Sequence, residues 1–598
     1  MTRAARLAVA LVAMVGAGLA HATPPAARPT TAPDRAAPSA RCDVQWRFTP
    51  RVEGAARFID AEVAWRAGDT STSELVLNRD WGGADYARLL TDFRARSDHQ
   101  WVLDRADPAR KTVTHLPRER VAIRYRINAR PPDPDRDAIT RRDVYSAIVG
   151  NDWFHFVGYA AAVIPAQFGD DTRPHLCVTL DGGGPDGWLV SSLGAARAPS
   201  ATFEVTGSPR GVKRAVYFGG AFDVRERGIR GSPLLIARRG PWRFDMDRYA
   251  DLVARLIEAQ RAFWADFDFP PLAIELLHTN APRGSSGGTA LDNAFLIYAP
   301  DDLAVPGEQF EFLLAHEHLH TWIPHRFGAM GENEALRYWF SEGFTDFYTH
   351  RLLVRAGVWT LDQYAAALNR KIETQLQSEV TTYDNARVAA DFFVDPAIGM
   401  LPYQRGELLA LRWHRMLAAR DADGLDGVMR RLTLPHGVEA DAKTPLPLAT
   451  RRLLDALTDP VPEARADVDR YIEHGEAIPF EAQSLGPCFD MRFTEKPRFH
   501  LGFDRRSVKE GRLVGVEPDG PAYAAGLRDG QPISGFYLFE GDASKDAGVQ
   551  LRDEADGNTR EVLFRPTSGE PRAIPVYMPK DGAQSDPACR AWFGMPVA

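Results

Sequence analysis

The stretch from Glu308 to Trp322 reads EQFEFLLAHEHLHTW, and it restricts the architecture of this chain more than any other segment. Phe310, Phe312, Leu313, Leu314 and Leu319 supply enough apolar surface for a buried helix, and Pro306-Gly307 marks its start. On a helix, positions i and i+4 share a face, so His316 and His320 project the same way, one turn apart. Two imidazoles so placed suit two corners of a zinc tetrahedron. Glu317, beside the first, can hold a zinc-bound water and take its proton. The bland alternative is an exposed helix with ordinary charges, and the Phe and Leu flanks argue against it. Two histidines and a glutamate are costly to bury unless something binds them.

A catalytic zinc needs a third protein ligand and an open fourth position. Glu342 is the best candidate, in WFSEGFTDFY on a second amphipathic helix over about 335–354, after a loop broken by Pro324 and Gly331. Asp346, one turn later, is placed to orient a ligand by hydrogen bonding. The three-histidine pattern H-E-x-x-H-x-x-G-x-x-H fails, with Ile323 where Gly is needed and Arg326 where His is needed. His318 and His325 fall out of register and read as surface or supporting histidines.

With these residues in view, the chain resembles the glycyl aminopeptidase family of two-His-one-Glu zinc peptidases (gluzincins) with a C-terminal PDZ domain. The matching words are HEHLHTW, WFSEGFTDFY and PYQRGELLALRW around Tyr403. The resemblance implies a peptide or protein substrate, a Zn2+ cofactor, and Tyr403 as the phenol that donates to the tetrahedral oxyanion, placed just before a helix over 404–419. It also implies a thermolysin-like sheet beside the motif helix, whose edge strand binds substrate by strand addition, with Gly287 and Gly288, in the Gly-rich turn ahead of the strand over 290–298, as substrate-binding residues. One departure stands out. Family members carry Gly-Gly-x-Glu, and related aminopeptidases use such a glutamate for the substrate's free amine. Here the word is Gly287-Gly288-Thr289-Ala290, with no acid until Asp292.

At 598 residues the chain exceeds one core, and length suggests about four domains. A net charge of −8 gives no basic footprint for nucleic acid. Arg3 and Arg6 precede an apolar run over 7–20, and Ala20-His21-Ala22 fits a small-x-small cleavage site. Residues 1–22 therefore read as a signal peptide. The mature chain has no stable membrane span, and export to a periplasmic or extracellular space is expected. The Pro/Ala-rich 23–41 reads as a disordered linker.

Val44, Trp46 and Phe48 alternate, as do Ile59, Ala61, Val63 and Trp65, then Val121, Ile123, Tyr125 and Ile127. This predicts a β-sandwich over 42–200. From 201 to 487 the pattern mixes. A helix over 245–267, strands over 272–280 and 290–298, and further helices to about 478 make a thermolysin-like mixed α/β peptidase domain with a helical second half. Residues 488–580 read as a PDZ-like β domain, followed by a tail over 581–598. In the PDZ-like part, Leu501, Gly502 and Phe503 resemble a carboxylate-binding loop fit for a peptide C-terminus. Residues 513–516 read as a strand, and 520–533 as a short helix and turn. The fold class is thus multidomain α+β.

Four cysteines, Cys42, Cys177, Cys488 and Cys589, allow three pairings, and domain proximity favours Cys42 with Cys177 and Cys488 with Cys589. Gly284 to Gly288 also satisfies G-x-S-x-G around Ser286, but a strand-like run follows where a nucleophile elbow needs a helix. The expectation is an exported zinc peptidase, with aminopeptidase activity as the family's implication. The alternatives are an endopeptidase of the same mechanism and a non-catalytic PDZ-containing binding protein with a vestigial zinc site.

Overall fold

The computed structural model describes residues 30, 31 and 41–595, except 79, 82, 83, 96–99, 104–108, 134–137, 141, 142, 170, 171, 281–286, 301–306, 422, 436–445 and 554–556. The signal peptide, most of the linker and Ser286 therefore lie outside the described residues. Contacts divide the chain into two units, one ending at His318 and the other starting at Leu319, apart from a short excursion in 436–439.

In the first unit, the alternation of apolar residues is realised as strands with one buried face. β1 (Val44–Glu53), β2 (Ala56–Arg66) and β3 (Arg120–Asn128) pair antiparallel in the middle of a seven-stranded sheet. Each turns its expected face inward: Val44, Trp46, Phe48, Ile59, Val63, Trp65, Val121, Ile123 and Ile127 share one core with Phe154, Phe156, Leu189 and Tyr217 from a five-stranded sheet. Packed sheets with a common apolar core are what the period of two dictates. Two boundaries move. Ser200–Thr206 completes the first sheet and Val216–Gly220 belongs to the second, so the all-β part runs past residue 200 to Gly220. Thr30–Thr31, inside the stretch expected to be disordered, pairs with Ala201 and Thr202 at the sheet edge. An edge strand's unpaired backbone groups explain that addition.

The same unit continues with a mixed sheet of β4 (Asp223–Ile229), β5 (Ser232–Arg239), β6 (Leu272–His278), β7 (Gly287–Leu291) and β8 (Ala294–Ala299), in the order β4-β5-β6-β8-β7. β5, β6 and β8 are parallel, and the edge strand β7 is antiparallel to β8. The single strand expected over 290–298 is a hairpin, because the chain turns at Asn293, whose φ is +53°. α1 (Met246–Phe263) crosses from β5 to β6 and is capped by Asp245, which accepts from the backbone N–H groups of Asp247 and Arg248. α2 (Glu308–Leu319) follows β8 and carries the histidine motif.

The second unit is helical to Glu473, with α3 (Gly343–Arg355), α4 (Leu361–Gln377) and α5 (Leu401–Ala418) at its centre. It then forms a β part in which Phe489–Lys496 pairs with Arg572–Pro579 and three strands make a separate sheet. Two details differ from expectation there. Residues 513–516 form no strand, only an isolated bridge at Arg512–Pro532 next to them. The short helix is present, as Pro521–Ala524. Both favoured disulfides form, Cys42–Cys177 and Cys488–Cys589. Among the described residues no helix is long and apolar enough to cross a membrane.

Candidate metal centre

α2 has acidic residues in its first turn (Glu308 and Glu311) and histidines in its last, the polarity that suits a helix dipole. Phe310, Leu314, Ala315 and Leu319 are buried, and so are His316, Glu317 and His318. A helix enclosed all round cannot leave polar side chains idle. Of the two readings for His318, surface or supporting, the second holds: at 200° from both His316 and His320 it occupies the opposite side of the helix, and it is buried. There its Nδ1 hydrogen-bonds Gln260 Oε1 of α1, while Gln260 Nε2 donates to the Ala315 carbonyl at 2.8 Å. Burial, reinforced by the charge of Arg261, holds the His318 imidazole well below its usual range and so neutral. One amide thus fixes the back of α2 at two points, which sets the helix rotation and the direction of the front-face histidines.

On the front face, His320 Nδ1–H donates to the Ile323 carbonyl at 2.8 Å, which selects the tautomer that carries its lone pair on Nε2. That Nε2 stands 3.5 Å from Glu342 Oε2. The second helix is continuous in hydrogen bonding through Glu342, whose N–H reaches the Tyr338 carbonyl and whose carbonyl accepts from Asp346 N–H. Glu342 is fully buried, and its Oε1 accepts from Ser341 Oγ at 3.1 Å. His316, His320 and Glu342 each offer one ligand atom, and all three atoms lie within 4.8 Å of one another. Ligands at about 2.1 Å in a tetrahedron are roughly 3.4 Å apart. The cluster is therefore near the size a zinc ion requires, and its two nitrogens and one carboxylate oxygen are a donor set zinc accepts. A second cluster, Cys42, His175 and Cys177, carries no such chemistry because both sulfurs are in a disulfide.

The other expected residues fall as follows. Glu317 is buried, the residue after His316 on α2. Tyr403 is buried and lies within the first turn of α5, not ahead of the helix, because Pro402 occupies an early helical position where its missing N–H costs nothing. Asp346 is buried one turn after Glu342 and is bridged by Lys371 of α4. Gly287 and Gly288 lie on the edge strand β7. A side chain on Gly287 would meet the Tyr298 ring, and one on Gly288 would press on the Leu296 carbonyl and on Leu313 of α2, so the small residues let the strand lie close to the motif helix. Asp292, the nearest acid, is held by Arg214 at 2.6 Å. In the C-terminal β part, Leu501 N–H donates to the carboxylate of Glu379 at 3.1 Å, so a carboxylate from this chain already engages the loop of Leu501, Gly502 and Phe503. Sequence reasoning missed Gln260, Lys371 and Glu407. Only Glu407 had a signal, its position one turn after Tyr403.

The family described as M61 glycyl aminopeptidase matches residues 309–391. No curated protein matches the sequence. Among solved structures, a protein of the aminopeptidase N family from Idiomarina loihiensis shares the fold over 92% of this chain and 100% of its own, with a TM-score of 0.67 and 14% identity. An M1 zinc metallopeptidase from Deinococcus radiodurans, in a mutant form bound to a Tyr-Ser-Ala substrate, aligns over 73% of this chain and 94% of its own at 16% identity. Its TM-score is only 0.42.

Proposed function

We propose that this chain is an exported zinc peptidase, and the observation that carries the reading is the convergence of His316, His320 and Glu342 on one point. The M61 match over 309–391 supports it, since that span holds both ligand-bearing segments. The cofactor is Zn2+, held by those three side chains; when bound it supplies Lewis acidity that polarises a scissile carbonyl and acidifies water. Glu317 takes the proton of the attacking water and passes it to the departing amine. Tyr403 donates its phenolic hydrogen to the oxygen that gains charge as the carbonyl becomes tetrahedral. Gly287 and Gly288 offer the backbone of an edge strand to an extended peptide. Asp346 acts behind the ligands, holding its helix.

Within this reading the substrate end is the open choice. The M61 description and the fold shared with an aminopeptidase N family protein favour removal of N-terminal residues. A specific observation favours endopeptidase cleavage: residues 281–291 contain no acid, and Asp292 is tied to Arg214. The glutamate position of the Gly-Gly-x-Glu word, which would give a free amine its charge-assisted partner, is thus taken by Ala290. The segment 488–580 serves as a docked module, its Leu501–Phe503 loop engaged by Glu379.

The experiment is cleavage of a peptide library in free and N-blocked forms, with and without a chelator. Chelator-sensitive cleavage restored by zinc is the expected result. Preference for free peptides fixes the aminopeptidase, and equal cleavage of blocked peptides fixes the endopeptidase. No cleavage by zinc-loaded protein would leave the vestigial-site alternative standing.

A further inference from the structure

Glu342 and Asp346 stand one turn apart on the second ligand helix, and Tyr403 and Glu407 stand one turn apart on α5. Lys371, from α4, joins the two pairs: its Nζ donates to Asp346 Oδ2 and to Glu407 Oε2. Glu407 Oε1 accepts in addition from His350 Nδ1. The Lys371 side chain is only 14% exposed, and Asp346 and Glu407 are almost fully enclosed. Burial alone would lower the Lys371 ammonium, but the two carboxylates outweigh it and raise its pKa, so the cation persists.

The two helices also touch backbone to backbone. A Cβ on Gly343 would fall 2.4 Å from Gly406 Cα, and one on Gly406 would fall 1.8 Å from the Trp339 carbonyl oxygen. Gly343 follows Glu342 directly, and Gly406 precedes Glu407. Two glycine surfaces fix how near the helices come but offer no side chain to stop one sliding along the other. A cation held by one carboxylate from each helix supplies that stop. Neutral packing often serves stability as well as a buried ion cluster does, so stability alone gives no reason for these charges.

We propose that Lys371 is a positioning residue, which locks the register of the helix bearing Glu342 against the helix bearing Tyr403 through Asp346 and Glu407. The inference rests on the peptidase reading above. Glu407→Gln is the test. It keeps an acceptor oxygen for His350 and leaves Lys371 balanced by Asp346, while breaking the arm to α5. With zinc saturating, kcat should fall about tenfold or more on a peptide the wild type cleaves, while KM and the zinc affinity read by chelator competition stay within about threefold. In a Tyr403→Phe background the same change should cost less than about threefold, since the residue it positions is already gone.

A folded, zinc-loaded Glu407→Gln enzyme with kcat within about threefold of wild type would overturn the proposal, and so would a full tenfold cost repeated beside Tyr403→Phe. If Glu407→Gln fails to fold, the neutral triple variant Lys371→Met, Asp346→Asn, Glu407→Gln leaves no unpaired charge and is read by the same criteria. The peptidase reading fails differently: the wild type would cleave nothing, or Tyr403→Phe alone would leave kcat unchanged. The latter removes the Tyr403 role and this proposal with it.

Discussion

The β part up to Gly220 and the helices that follow the motif are both densely packed, yet they bury different chemistry. Among the described residues up to Gly220, the buried polar side chains are serines and two histidines, with no buried acid, lysine or arginine. Between Tyr338 and Ala418 the buried set includes Glu342, Asp346, His350, Arg351, Arg405, Glu407 and His414. Removing charge from water is expensive and seldom repaid in stability alone. The β part limits this cost to His155, which meets the buried carboxylate of Glu275 on β6 at 2.8 Å, whereas the helical part accepts it many times over, more than its folding alone explains.

That contrast can be broken at either end. The largest effect should come from Glu317→Gln, which keeps size and shape but removes the base. Turnover should fall by about 10²–10⁴-fold with zinc content unchanged, measured as kcat beside the metal-to-protein ratio. A variant that keeps most of its turnover would deny the residue its role. Next in size is Trp46→Ala in the β part. Trp46 is buried in the large core and donates its indole N–H to the Val163 carbonyl at 2.9 Å. Its loss should cost about 3–5 kcal/mol against urea, while kcat per folded molecule stays within about twofold. A tenfold fall in kcat for the folded fraction would show that the β part is not the passive scaffold this comparison makes it.

The same difference decides what could be read from the sequence. A strand with one buried face writes its structure into every second residue, so β1, β2 and β3 were legible down to the face each presents. The convergence of His316, His320 and Glu342 was legible too, because i and i+4 histidines share a helix face and a glutamate on the next helix can reach it. Boundaries set by neighbours were not. The β part passes residue 200 because Ser200–Thr206 fills a gap in a sheet already begun, and Tyr403 enters its helix because Pro402 tolerates an early helical position. Least legible were Gln260 and Lys371. Their partners lie far along the chain, Ala315 and His318 in one case and Asp346 and Glu407 in the other, and no local period records such pairings.

A third region tests the contrast at its weak limit. In the C-terminal β part, His500 lies between two carboxylates: Nδ1 is 2.7 Å from Glu379 Oε1 and Nε2 is 2.7 Å from Glu517 Oε2. Carboxylates only accept, so both ring nitrogens must donate, and only the imidazolium can do that. Partial burial opposes the charge, but the two carboxylates prevail and raise the His500 pKa above its usual 6.5. The sign follows. A group with a raised folded-state pKa adds its stability below the unfolded value, and loses it as pH rises through the folded one. Because Glu517 is half exposed, with 56% of its side chain open to water, screening limits the gain to about 0.5–1 kcal/mol. The stability gap between wild type and His500→Gln, measured by urea unfolding, should therefore be wider at about pH 5.5 than at about pH 8.5. A gap that widens with rising pH would mean that the ring is held neutral, and that this half-open site does not keep the imidazolium its two carboxylates call for.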